Sequence, residues 1–176
     1  MIIFAIEGNC NNVDWFGSAV SQDNLRVVKM TLETTQLLCT ALNVLSEDKV
    51  TPYKSAHVNH PCSKWARASS ANWKQLYYHA LCLCSEYTRR FGKTHKCDDV
   101  LSKIFRKFLE NKHLFELDVP TDLPLCMPDE YKDQNDIVGS YRRFWCSKPN
   151  IVYPEQKIPS WFKQQRQLPY KIISEV

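Results

Sequence analysis

The sequence predicts a mainly α-helical single domain, a compact helical bundle, and three observations carry that prediction. Only four glycines occur in 176 residues, too few for a many-turned β architecture. Long stretches without glycine or proline repeat apolar residues every three or four positions, the spacing of one helix face. A hydrophobic fraction of 44% and an aromatic fraction of 12% belong to a chain that buries one real core, so residues 1–176 need no second domain.

Residues 2–6 (Ile-Ile-Phe-Ala-Ile) read as a short buried strand or extended start, and Glu7-Gly-Asn-Cys-Asn-Asn as a loop. A first helix is expected from about Ser21 to Leu45, with Ser21 or Asp23 as N-cap. Its polar residues Arg26, Lys29, Glu33, Gln36 and Thr40 recur at steps of three and four and form one narrow stripe. That stripe is either a solvated face laced by a Lys29–Glu33 pair or the lining of a cleft. The rest of the circumference is apolar, so the helix is expected to be deeply packed. Residues 46–61 form a long connection, a length uncommon in loops without a function.

A second helix is expected from Pro61 to Phe91, bent or broken at Ser69-Ser70-Ala71 and ended by Gly92 in the left-handed cap position. A third runs from Cys97 to Lys112, with Asp98 and Asp99 suited to its N-terminus. Residues 118–132 are proline-rich and extended, and Asn135 to Cys146 is a fourth helix. From Ser147 onwards prolines alternate with single aromatics, which predicts a tail wrapped over the domain and anchored by Pro159-Ser160-Trp161-Phe162.

The net charge is +4, unevenly placed. Arg89, Arg90, Lys93, His95 and Lys96 crowd one helix end, and Arg142-Arg143 form a second pair. These are either solvated faces, cations complementing a helix C-terminus, or contacts to a polyanion. The six apolar residues at the N-terminus lack the basic start and length of a signal or membrane segment, so the protein is expected to be soluble. Eight cysteines, several at apolar helical positions, are expected to be reduced thiols.

The stretch His57-Val58-Asn59-His60-Pro61-Cys62 puts three metal-ligand types within six residues. A structural zinc site needs four ligands, and the other tight cysteine pair, Cys82-x-Cys84, falls on different faces of a helix. No metal site and no cofactor are therefore predicted. His60-Pro61 reads as a helix start, with His60 as cap, and His57 with Asn59 stand where backbone N–H groups favour an anion. Gly92-Lys93-Thr94 is no P-loop, and the hydrolase elbow, zincin and dinucleotide-binding motifs are missing. Glu33, embedded in an apolar helix, is the best-placed carboxylate for acid–base use, and Asp129 is the second.

Four segments carry a resemblance: Val28-Lys29-Met30-Thr-Leu-Glu33-Thr-Thr-Gln36, His57-Val-Asn59-His60-Pro61-Cys62-Ser-Lys-Trp65, Glu86-Tyr87-Thr-Arg-Arg-Phe-Gly92-Lys93-Thr94-His95-Lys96 and Met127-Pro128-Asp129-Glu130-Tyr131-Lys132. Together, across most of residues 20–165, they resemble a family of small bacteriophage proteins described as pyrimidine-dimer DNA glycosylase-like, by distant similarity to the T-even phage endonuclease V. The resemblance implies a helical protein of the infected host's cytoplasm that grips duplex DNA and removes a damaged or modified pyrimidine. It makes Glu33 the carboxylate facing oxocarbenium charge, with Lys29, His57 and Asp129 as further catalytic candidates. Arg26, Gln36, Asn59, His60, Arg89, Arg90, Lys93, His95, Lys96 and Arg142 would contact DNA. The dimer-specific enzymes use a free N-terminal amine, but Ile2 disfavours removal of the initiator methionine, leaving Lys29, Lys93 or water as nucleophile. A non-catalytic phage binding module and a nucleotide-processing enzyme of base-modification metabolism are the rival expectations.

Overall fold

A buried hydroxyl takes the place of a strand partner at the start of the chain. In the computed structural model, which describes residues 2–173, Ile3 to Ile6 are extended and buried outside any sheet. The Ile6 and Glu7 amides both donate to Ser18 Oγ, at 3.1 and 3.0 Å. Two-residue strands β1 (Gly8–Asn9) and β2 (Asn12–Val13) make an antiparallel hairpin. Gly8 holds φ +121°, and a Cβ there would meet the Asn12 carbonyl oxygen at 2.1 Å, so only glycine fits. The hairpin leads into α1 (Trp15–Val20), capped by Asp14, whose carboxylate accepts from the Gly17 amide.

Asp23, the second of the two expected caps, starts α2 (Asn24–Leu45) by accepting from the Arg26 amide at 3.1 Å. The expected break in the next helix falls at Ser69, whose backbone is extended (φ −144°, ψ 139°) and separates α3 (Pro61–Ala68) from α4 (Ser70–Phe91). The break has a purpose: the freed Ser70 amide donates to the Leu117 carbonyl at 2.8 Å, and Asn72 receives the Thr121 amide, stitching the proline-rich segment onto the helices. Gly92 ends α4 at φ 62°, its amide reaching the Thr88 carbonyl. Then come α5 (Cys97–Asn111), α6 (Ile137–Cys146, capped by Asp136) and α7 (Ser160–Gln165).

The core lies where α2 packs against α3, α4 and α5, with Leu37, Leu38, Leu42, Leu76, Leu83 and Leu101 inside. Trp73 stacks on Phe108 with ring centres 4.2 Å apart, and Phe4 meets Trp145 edge-on at 4.8 Å. The tail wraps as expected. Trp161 and Phe162 are buried, and β3 (Val152–Pro154) pairs in parallel with β4 (Lys171–Ile173). No helix among the described residues is long and apolar enough to cross a membrane.

Two expectations for α2 need correction. Its first half is not deeply packed, because Leu25, Val28 and Leu32 are 52%, 41% and 41% exposed along one stripe. Thr40 leaves the polar stripe, being buried and bonded to the Ala56 amide at 3.0 Å.

His79 gives the fold a pH dependence. Its ring is buried between α1 and α4, with Nδ1 2.9 Å from the Trp15 carbonyl oxygen, so the neutral tautomer with the proton on Nδ1 is held. Burial lowers its pKa from 6.5 to about 4, only partly opposed by that carbonyl. The unfolded chain therefore takes up this proton first, and the linked stability, complete above pH 6.5, falls as the pH drops towards 4. Urea unfolding should show wild type losing about 2–3 kcal/mol more than His79→Asn between neutral pH and the acid limit. Equal losses in both would remove His79 as the cause.

Candidate functional site

The first half of α2 is the floor of a groove, and its exposed residues alternate between apolar and charged. Leu25, Val28 and Leu32 lie beside Lys29 and Glu33. Lys29 Nζ is 3.5 Å from a Glu33 carboxylate oxygen, one turn along, with side chains 65% and 16% exposed. Half-buried Gln36 continues the stripe by one turn.

One wall is the turn joining α4 to α5. His95 Nδ1 accepts from the Cys97 amide at 3.1 Å, and the ring also bonds the Val28 backbone. Burial lowers the His95 pKa, and the Val28 contact opposes this. With both edges of its ring engaged, His95 braces the wall rather than meeting a ligand. Lys93 and Lys96 on either side of it are exposed. The other wall is residues 148–150, whose Pro149 and Asn150 carbonyls accept from Arg26 at 3.1 and 3.3 Å. Arg26 also pairs with buried Asp23 at 3.1 Å, so its guanidinium is spent within the fold. Half-buried Lys148 sits on this wall, Nζ 3.6 Å from the centre of the Phe144 ring. Its pKa is lowered by burial and then by the charges of Arg26 and Lys29, the combination that makes an amine nucleophilic.

A cavity of about 450 Å³ opens between Leu32, Tyr53, Tyr87, Lys93, His95 and Lys96. Tyr87 meets His95 edge-on at 4.8 Å, and the Tyr53 hydroxyl lies 3.7 Å from Cys97 Sγ. Burial and Cys97 push the Tyr53 pKa up to about 12, so it is a neutral phenol able to donate.

The long connection runs back along α2, Tyr53 bonded to Asn43 and Ala56 to Thr40, and ends in a turn closed by the His60 amide on the His57 carbonyl at 2.9 Å. His57 adopts φ 51°, a left-handed conformation uncommon outside glycine. Arg67 holds the turn through the Val58 carbonyl at 2.7 Å. His57 and Asn59 are exposed, while His60 caps α3, its Nδ1 accepting from the Cys62 amide at 3.1 Å. The His60 pKa is lowered by burial and by His57, with Glu33 pulling the other way. Cys62, the next residue but one, lies with Sγ 3.3 Å from Cys126 Sγ. The sulfur–sulfur hydrogen bond, together with burial, pushes the Cys62 thiol up, and the same bond draws the Cys126 thiol down.

No protein-family model, curated protein or solved structure matches this chain.

The α2 face thus carries Lys29, Glu33 and half-buried Gln36, with Lys93, His95 and Lys96 beside it at the cavity and the His57–His60 turn at the end of the connection. Other candidates are committed elsewhere. Arg90 is buried against Glu86, Asn24 Oδ1 (3.0 Å) and the Val20 carbonyl (2.7 Å), so it cannot contact DNA. Arg89 is half-exposed but pairs with the same carboxylate. Arg142 donates to the Ile6 carbonyl at 2.8 Å and to Glu7 at 2.9 Å, and covers the Trp161 ring, which makes it a structural brace. Asp129 is exposed on a short 3₁₀ turn and paired with Lys132 at 2.7 Å, whose charge lowers its pKa, the wrong direction for a general acid. Sequence reasoning missed Tyr53, Tyr87 and Lys148. The unusual length of the 46–61 connection was the one signal pointing at Tyr53.

Proposed function

We propose that this chain is a DNA base-processing enzyme, an N-glycosylase that removes damaged or modified pyrimidines from duplex DNA in the cytoplasm of a phage-infected cell. The observation that carries the reading is the Glu33–Lys29 pair on the floor of a lysine-edged groove that adjoins an aromatic cavity. Exposed Lys93 and Lys96 on one wall and exposed Lys29 on the floor suit a phosphate backbone flanking a distorted site. The cavity has room for one extruded base, with Tyr53 and Tyr87 as its aromatic surfaces and the Tyr53 phenol as a hydrogen-bond donor. The resemblance to phage glycosylase-like proteins points the same way.

In this reading Glu33 stabilises the positive charge that grows on the sugar as the base departs. Lys148 is a better amine than Lys29 or Lys93, since it is half-buried beside other cations. Its nitrogen lone pair forms a bond to C1′ as the C1′–N bond to the base breaks, the base takes a proton from solvent, and the amine releases one. Opening of the sugar ring then gives an imine.

Duplexes carrying pyrimidine dimers, uracil or hypermodified pyrimidines, incubated with the protein and borohydride, test this. A covalent protein–DNA adduct is expected with at least one substrate, and free base without an adduct would assign attack to water. Binding should weaken with salt at a log–log slope of about −3, for phosphate contacts by Lys29, Lys93 and Lys96. No affinity for any of these duplexes at low salt would overturn the proposal.

A further inference from the structure

We propose that His60, Cys62 and Cys126 form a binding site for a thiophilic divalent cation of the Zn²⁺ class, held by one nitrogen and two sulfurs with a fourth position left for water. The three donor atoms lie within 4.8 Å of one another. They come from two places, His60 and Cys62 from the start of α3, and Cys126 from the proline-rich segment, 64 positions beyond Cys62.

Each donor is fixed by contacts made for other reasons. Cys62 is fully buried in the first turn of α3. Cys126 sits between buried Leu123 and Met127 on a segment that Tyr141 grips through the Pro124 carbonyl at 2.6 Å and Trp65 through the Thr121 carbonyl at 3.0 Å. His60 is oriented by its cap bond, which points the Nδ1 lone pair towards the Cys62 amide. A cation at Nδ1 would have to displace that bond, whereas Nε2 is not engaged by it. Such rigidity before binding is what a metal site requires of its support.

The spacing suits a metal better than a disulfide. Zn–S bonds of about 2.3 Å in a tetrahedron set their sulfurs about 3.8 Å apart. The sulfurs stand at 3.3 Å, so a small widening admits the ion. A disulfide needs closure by more than about 1 Å to reach its bond length, and it gives the neighbouring imidazole no part. Two sulfurs and one imidazole favour Zn²⁺ over Mg²⁺ or Ca²⁺, which select oxygen donors. Three protein ligands with one exchangeable position is the arrangement of zinc sites that bind and acidify water, in contrast to closed four-ligand structural sites. Since His60 closes the turn that begins at His57 and caps α3, the ion would stand at the start of α3 beside that turn. The assignment does not depend on DNA being the substrate.

The test uses the full chain, reduced and freed of metal by a chelator, then titrated with Co²⁺ and Zn²⁺. One equivalent of Co²⁺ should bind with a sulfur-to-cobalt charge-transfer band and the visible bands of a tetrahedral ion, displaced by Zn²⁺. Added cyanide should shift the visible bands through the fourth position. Cys62→Ser and Cys126→Ser should each weaken binding by about 100-fold or more, whereas Cys10→Ser, at the exposed hairpin, should leave it unchanged. Circular dichroism of Cys126→Ser, the half-buried position, separates lost ligation from lost folding. Absence of the charge-transfer band, or full affinity in a folded Cys126→Ser, would overturn the site. So would a reduced protein without metal affinity whose Cys62 and Cys126 join on mild oxidation.

Discussion

Arg90→Ala is expected to lower stability by about 3–5 kcal/mol, enough to leave a domain of ordinary stability largely unfolded. Arg90 and Glu86 side chains are each 3% exposed, one turn apart on α4. Burial alone would raise the Glu86 carboxyl, but the Arg89 and Arg90 guanidiniums override it and hold its pKa below the usual range. Arg90 also ties α4 to the end of α1 and the start of α2, through the Val20 carbonyl and Asn24. Alanine would strand a buried carboxylate and leave the Val20 carbonyl without that donor. Arg89→Ala is the internal control. Arg89 bonds both oxygens of the same buried carboxylate, but at 47% exposure its own charge is screened and Arg90 remains, so its loss should cost about 1–2 kcal/mol. Urea denaturation of the two variants distinguishes them, and equal destabilisation would refute the distinction between buried brace and surface pair.

That contrast shows what the sequence could carry. Lys29–Glu33 and Glu86–Arg90 have the same spacing of four, yet one lies on an open groove and the other inside the protein. Spacing sets which side chains share a helix face, while the neighbours brought by the fold decide whether that face is wet. Helix limits set by local chemistry were legible: Asp23 as cap, Pro61 as first helical residue, Ser69 as break and Gly92 as stop. The six-residue helices α1 and α7 are too short to display a period, and the parallel pairing of β3 with β4 joins segments that carry no alternation.

The site divides in the same way. The α2 stripe and the His57–His60 turn each lie within one local segment, and both could be read as candidate surfaces. Cys126 and Lys148 are placed by tertiary contacts alone. The reading of His57–Cys62 as a poor metal site followed from looking for a second close pair of ligands in the chain. The third side chain of the proposed cluster is a single cysteine on an irregular segment, for which spacing rules give no signal.

Glu33→Gln is expected to lower base release by about 10²–10⁴-fold while leaving DNA affinity equal or slightly higher. The amide keeps the shape of the side chain and removes its charge. Lys29 loses its partner, but at 65% exposure it is well hydrated, so the thermal midpoint should move little. Removing a negative charge from a lysine-edged groove also relieves repulsion of the phosphates. A purely structural or docking role for Glu33 would therefore change binding or stability, whereas the proposed role changes the chemical step with both preserved. Lys148→Arg completes the argument from the other side. It keeps a cation on the wall beside Phe144 but supplies no amine for an imine, so the borohydride adduct should vanish while binding persists. Full turnover in Glu33→Gln would remove the carboxylate from the mechanism. An adduct that survives Lys148→Arg would move the amine to Lys29 or Lys93, and the lysine whose own arginine variant lost the adduct would be the nucleophile.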